Sequence, residues 1–245
     1  MKLARCRWLV VQAVALLCAA LAHARAPLHV LVDNSTEMPQ GRFERGYLVG
    51  GIHFDVGQAL AGKLGREANF RVLPRKRVID ELLHGQQADL ICGYLPQWLP
   101  GVTAWSRPFL PDEQWLLSGR TVPAPRKLAE LAGQRIGTVL GFVYPEMQQQ
   151  LGTGFVREEA PDAGANLRKL SLGRMQHAIV GRLQFEYQMR LGGYKLDLHA
   201  PLVISSYQSQ CALSRHSTVS LAELDKAIAE LQAEGGIQRI LAKYR

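Results

Sequence analysis

The sequence predicts an α/β chain in which short buried strands alternate with amphipathic helices, and three observations lead to that class. Leu28-His-Val-Leu-Val-Asp33 and the run from Ala88 to Leu95 are compact and apolar, the pattern of strands covered on both faces. Between them Ile52, Val56, Ala59, Leu60 and Leu64 recur at helical spacing and stop at Gly65. Val78, Leu82 and Leu83 repeat that period before Gly85. Alternation of this kind implies a mostly parallel sheet with helices packed on it.

The remaining elements follow in order. Asn34-Ser-Thr is a polar loop after the first strand, and Asn69 to Pro74 is a second short strand. Trp115 to Gly119 reads as a strand, and Pro123 and Pro125 then interrupt the chain. A second unit opens with a short helix at Leu128–Gly133 and a strand at Gln134–Gly141. It continues with a helix over 142–151, a brief strand at Phe155-Val156, a helix over 165–172, a strand entered from Gly173-Arg174, and a helix over 185–191. Ser209 to Ser214 is a late strand. Ser220 is placed to cap a helix carrying Leu221, Leu224, Ile228 and Leu231, and Gly235-Gly236 breaks it from a last helix through Tyr244.

The first 26 residues carry the marks of export. Lys2, Arg5 and Arg7 precede an apolar run from Trp8 to Leu21, followed by Ala22-His-Ala24 or Ala24-Arg-Ala26. A basic start, a short apolar run and an Ala-x-Ala site predict a secretory signal peptide cleaved near Ala24 or Ala26. The run falls short of the roughly 20 residues of a spanning helix. Cleavage after Ala26 removes Lys2, Arg5, Arg7 and Arg25 and lowers the formal charge from +8 to +4. With that modest charge and a single basic tract at Arg75-Lys76-Arg77, nothing supports nucleic-acid binding.

Catalytic patterns are missing from the sequence. His29, His53, His84, His177, His199 and His216 show no metal-ligand spacing, Ser106 and Ser171 lack a nucleophile-elbow context, and no glycine-rich phosphate loop occurs. No cofactor is expected.

Three segments carry a resemblance. Gly51-Ile-His-Phe-Asp-Val, Leu82-Leu-His-Gly85 with Asp89, and Trp105-Ser-Arg-Pro-Phe109 recur at the spacings of the family 3 periplasmic solute-binding proteins, which deliver amino acids to ABC importers. Gly173-Arg174 before a strand, and the C-terminal helix pair, resemble the second lobe and tail of that family; the likeness spans residues 28–245. It implies a type II two-lobed periplasmic-binding-protein fold with a ligand cleft between the lobes. The implied division is signal peptide 1–26, first lobe 27–118 and 207–245, second lobe 119–206. It also implies a monomeric periplasmic protein, a small-molecule solute and an inner-membrane ABC permease as partner. Two alternatives remain open: a periplasmic enzyme resembling cyclohexadienyl dehydratases, with Glu37 and Arg182 as an acid–base pair, and a ligand sensor acting in trans on a membrane receptor. After loss of Cys6 and Cys18, the resemblance puts Cys92 and Cys211 on adjacent strands, either disulfide-bonded or as two reduced, buried thiols.

Ligand sites of open α/β sheets lie beyond the carboxyl ends of strands. The family's amino-acid binders hold the α-carboxylate with an Arg before the Phe-Ser-x-Pro segment and the α-ammonium with an Asp after the Gly-Arg strand. This chain has no Arg between Leu95 and Trp105, and Gly181 followed by Arg182 stands at the Asp position. The helix-start hydroxyls are replaced by Phe142 and Val143. These departures argue against an ordinary α-amino acid, because an unpaired charge in a desolvated cleft is costly. The candidate ligand contacts are Glu37, Arg75, Arg77, Tyr94, Trp98, Tyr144 and Arg182, with Arg77 the preferred anion contact and an anionic or zwitterionic solute expected.

Overall fold

The computed structural model describes residues 25–245. The predicted signal peptide lies outside these residues save for its last two. Among the described residues ten strands and seven α-helices follow one another: β1 Leu28–Asp33, β2 Arg42–Glu44, β3 Tyr47–Gly50, α1 Ile52–Lys63, β4 Ala68–Leu73, α2 Arg75–His84, β5 Leu90–Tyr94 and β6 Leu110–Ser118. Then come β7 Arg135–Val139, α3 Pro145–Leu151, β8 Val156–Ala160, α4 Ala163–Ser171, β9 His177–Gly181, α5 Arg182–Arg190, β10 Leu202–Leu213, α6 Leu221–Ala233 and α7 Gly236–Ala242. Among the described residues no helix is long and apolar enough to cross a membrane.

Eight strands form one continuous sheet in the order β4-β1-β5-β10-β6-β9-β7-β8. β1 pairs in parallel with β4 and β5, and β7 in parallel with β8 and β9. The two long strands between these parallel blocks run antiparallel to their neighbours: β10 pairs with β5 through Gln210–Leu213 and with β6 through Leu202–Ser209, and β6 pairs with β9 through Gln114–Ser118. β6 and β10 are therefore the two chain segments that carry the sheet from one block to the other.

The apolar runs are continuous because each strand is covered twice. In the first block Val30, Leu90, Cys92 and Leu213 face α1, α6 and α7, whereas the alternating residues Leu31, Ile91 and Ala212 face Val78 and Leu82 of α2. The second block repeats the scheme, with Ala178 and Val180 toward Leu167 and Leu170 of α4, and Ile179 toward Met147 and Leu151 of α3. Ser220 caps α6 as its sequence predicts, accepting from Glu223 N–H while the Glu223 carboxylate accepts from Ser220 N–H, a capping box.

Two features depart from the sequence reading. A β2–β3 hairpin occupies residues 42–50, turning at Arg45 and Gly46, both at positive φ. β6 and β10 are longer than the segments Trp115–Gly119 and Ser209–Ser214, because polar positions at 111–114 and 205–210 continue the ladder where only one face is apolar. Cys92 and Cys211 sit directly opposite each other on β5 and β10 and are joined in a disulfide. Of the two states the sequence left open, the bonded one is present.

Candidate functional site

A cavity of about 160 Å³ lies where the strand ends of both blocks converge. From the first block come the loop after β1 (Ser35, Thr36, Glu37, Gln40), the start of α2 (Arg75) and the end of β5 with the following turn (Tyr94, Trp98). The second block supplies Val139, Phe142, Tyr144, Ala163, Gly181 and Gln184, and the crossing strands supply Asp112, Gln114, Tyr207 and Ser209.

Asp33, at the carboxyl end of β1, organises one wall. It is 2% exposed. Its Oδ1 accepts from Ser35 N (2.8 Å) and Ser35 Oγ (2.6 Å), and its Oδ2 from Tyr94 OH (3.2 Å) and Arg75 Nη1 (3.4 Å). Arg75 is the first residue of α2, where its backbone is fixed by the helix start. Its guanidinium stands 4.6 Å from the Tyr94 ring centre and 5.0 Å from that of Phe142, so it is packed between aromatics of the two blocks. Its contacts to Asp33 and to the Trp98 carbonyl (3.5 Å) are long, and an Arg fork has five donors. The Trp98 ring meets Tyr207 edge-on at 5.2 Å and Tyr94 at 6.5 Å. Burial pushes the phenols of Tyr94 and Tyr207 well above their ordinary range, so both act as neutral groups.

Glu37 bridges the two blocks. Its Oε2 accepts from Gly164 N (3.1 Å), in the first turn of α4, and from Gln184 Nε2 of α5 (2.8 Å). Burial raises its pKa, opposed by the Gly164 bond and reinforced by nearby Asp162. Asp112 on β6 is half-buried in the opposite wall; burial raises its carboxyl to about 6, against the lowering effect of bonds from the Glu113 and Leu183 amides. His53 at the cavity edge is held neutral, its pKa lowered to about 4 by burial despite the nearby Asp33. Gly93, at φ +85°, leaves room for it: a Cβ there would stand 2.9 Å from the imidazole.

Of the residues singled out from sequence, Glu37, Arg75, Tyr94, Trp98 and Tyr144 line this cavity and are brought together by the fold. Tyr144 serves structure as well, since it is buried, accepts from Val139 N (2.9 Å) and lies under Arg157 at 5.3 Å. Burial raises its phenol to about 12. Arg77 and Arg182 are corrections. Successive helix residues turn by about 100°, so with Arg75 facing the cavity, Arg77 lies about 200° away and is exposed on the outside of α2. Arg182 points out of the cavity, pairing with Glu113 (3.1 Å) and with Glu186 one turn on (2.7 Å), over the Trp115 ring. The acid–base pair of Glu37 with Arg182 is therefore not assembled.

Sequence reasoning missed Asp33 and Asp112. Asp33 had a legible signal: a carboxylate closing a strand buried on both faces needs partners. Asp112 had none, because Pro111-Asp-Glu113 reads as a polar connector. These two acids change the charge of the site. The basic tract contributes one guanidinium, Lys76 being exposed like Arg77; it pairs with Asp33 and lines the cavity together with Glu37 and Asp112. The cavity lining thus carries two carboxylates beside its one guanidinium.

No family model and no curated protein matches the sequence. Solved structures match over most of their length. An ancestral arginine-binding protein bound to arginine is 20% identical, covering 91% of this chain and 99% of that one at a TM-score of 0.69. An ancestral amino acid-binding protein described as a precursor of cyclohexadienyl dehydratase is 15% identical over 89% and 94%, at 0.71. A substrate-binding protein of an ABC uptake transporter from Streptococcus pneumoniae, with bound histidine, is 16% identical over 89% and 92%, at 0.70. The chain thus has the two-lobed periplasmic-binding-protein fold that amino-acid-binding proteins use. At these identities the likeness is one of fold.

Proposed function

We propose that this protein is an exported solute-binding protein that encloses a small polar solute between two lobes and presents it to an ABC importer in the inner membrane. One observation carries the reading: a cavity of single-solute size whose walls come from both blocks of the sheet, closed over by the Glu37 bridge to Gly164 and Gln184. A ligand that touches both lobes stabilises their closed arrangement through those differential contacts. The first lobe comprises 27 to β6 and the end of β10 onward, and the second lies between. Because Gln114–Ser118 pair with β9, we place the crossings inside β6 and β10, near Asp112 and Tyr207, earlier than the division at 118 on the first passage. The protein acts as a monomer without a cofactor.

The solute is polar. Arg75 lines the cavity with two carboxylates, Glu37 and Asp112, so its charges do not favour an anion over a cation.

A thermal-shift screen of the secreted protein against amino acids, amines, small carboxylates and opines tests this. A ligand at a hundredfold its Kd adds about 2.7 kcal/mol, which at about 2–4 °C per kcal/mol raises Tm by roughly 5–11 °C. The ligand is then recovered by mass spectrometry. Recovery unchanged supports a binding protein, whereas conversion of the ligand would put an enzyme in its place.

A further inference from the structure

We propose that Asp112 is the seat for a cationic nitrogen, so that the solute is an amine or guanidine on an apolar chain; this deepens the binding reading above and rests on it. The carboxylate lies on β6 where that strand passes from one lobe to the other, with half of it already committed. Oδ1 accepts from Leu183 N (3.2 Å), in the first turn of α5, and from Glu113 N (2.8 Å). Oδ2 has no hydrogen-bond partner among the described residues. What stands beside Oδ2 is space left by a glycine: a Cβ on Gly181 would come within 3.3 Å of it.

The two other carboxylates nearby, Asp33 behind the wall and Glu37 in it, are engaged by the protein. Asp33 holds Ser35, Tyr94 and Arg75, and Glu37 holds Gly164 and Gln184. Glu37 takes both of its bonds on Oε2, whereas Asp112 keeps Oδ2 without a partner on the strand that joins the lobes. A half-buried carboxylate oxygen in that condition is open to a charge-assisted hydrogen bond from a cation. Across the strand pair Asp112 faces Tyr207, whose ring packs on Trp98, so the ground around Oδ2 is aromatic and suits the methylenes of an alkyl amine. An anion in the same place would meet the carboxylate of Asp112 itself, with Glu37 also in the cavity wall.

The charges around Asp112 agree with a cationic ligand. Burial raises its pKa, Glu113 on its own strand and Glu186 on α5 add to that, and Tyr207 on β10 is neutral. Arg182, the cation at the start of α5, is engaged by Glu113 and Glu186 rather than by Asp112. A cation on Asp112 is released as the pH falls through the carboxyl's pKa of about 6, because protonation removes its counter-charge.

Titration calorimetry of the secreted protein with agmatine, putrescine, L-arginine and glutarate tests the assignment at pH 7.5 and pH 5. We expect agmatine or putrescine to bind, glutarate not to bind, and affinity to fall at least tenfold at pH 5. Asp112→Asn should weaken amine binding at least thirtyfold at pH 7.5 and abolish the difference between the two pH values. Gly181→Ala, which crowds Oδ2 and leaves the charge in place, should weaken it about tenfold, with thermal melts confirming that each variant folds. Amine or arginine binding undiminished in Asp112→Asn, or binding of glutarate alone, would overturn the assignment and leave the binding-protein reading standing. Silence of all four probes would likewise overturn the assignment, and the wider thermal-shift screen then decides the binding-protein reading separately.

Discussion

Replacing Cys92 and Cys211 together by alanine should cost about 2–5 kcal/mol of unfolding free energy. The bond joins residues 119 apart in sequence, and closing a loop of that length in the unfolded chain sets a chain-entropy figure of about 5 kcal/mol. The loop it closes holds β6, the whole second lobe and most of β10, so the cross-link keeps β10 registered against β5 however the intervening chain moves. Both cysteines are buried, Cys211 completely, in the layer shared with Val30, Leu90 and α6; alanine there leaves only a small packing loss beside the lost cross-link. At about 2–4 °C per kcal/mol for a chain of this size, Tm should fall by about 4–20 °C. Calorimetry of the secreted wild type and the double variant measures the fall, and thiol titration of the denatured wild type should find no free thiol. Two titratable thiols, or melting points agreeing within a degree, would refute the reasoning.

Further outcomes follow from the site. Asp112→Asn should melt higher than wild type at pH 7.5, with the gain vanishing toward pH 4: the folded-state pKa is raised from 3.8 to about 6, so wild-type stability falls as pH rises through that window. A melting-point series over pH 4–8 checks the sign. Arg75→Ala should weaken the solute found by screening by about 1–3 kcal/mol, whereas Arg77→Ala should leave calorimetric affinity unchanged, because only Arg75 lines the cavity. Gly93→Ala should destabilise the protein by about 1–2 kcal/mol for the positive φ alone, and more for the contact with His53, read as a lower denaturant midpoint.

Glu37→Gln carries a pH test of the bridge. Burial raises the Glu37 pKa, so the folded protein binds its proton more tightly than the unfolded chain, and the carboxyl's contribution to stability declines as pH rises above about 4.5. The glutamine variant should lose that slope in melts recorded between pH 4 and 7. An unchanged slope would show that Glu37 is solvated and the bridge unformed.

The elements built from local pattern were legible in the sequence. A helical period needs only its own turn of chain, so α1, α6 and the Ser220 cap could be read directly, and the strands β1 and β5 followed from runs buried on both faces. The family likeness of residues 51–109 pointed to the fold because spacing between such elements is itself a local quantity. The site was legible only in part. Arg75 and Arg77 are equivalent as sequence, and the phase of α2 decides between them by a rotation of about 200°. Glu37, expected as a ligand contact, is engaged by Gly164 and Gln184, more than 120 residues away. Asp112 and Gly181 acquire meaning together, since the pairing of β6 with β9 brings the missing side chain of one to the free oxygen of the other. The sequence by itself determined the elements and their order, because hydrophobic period and caps act over a few residues. The tertiary structure alone decided the charge of the cavity, because each group there is set by partners from distant segments.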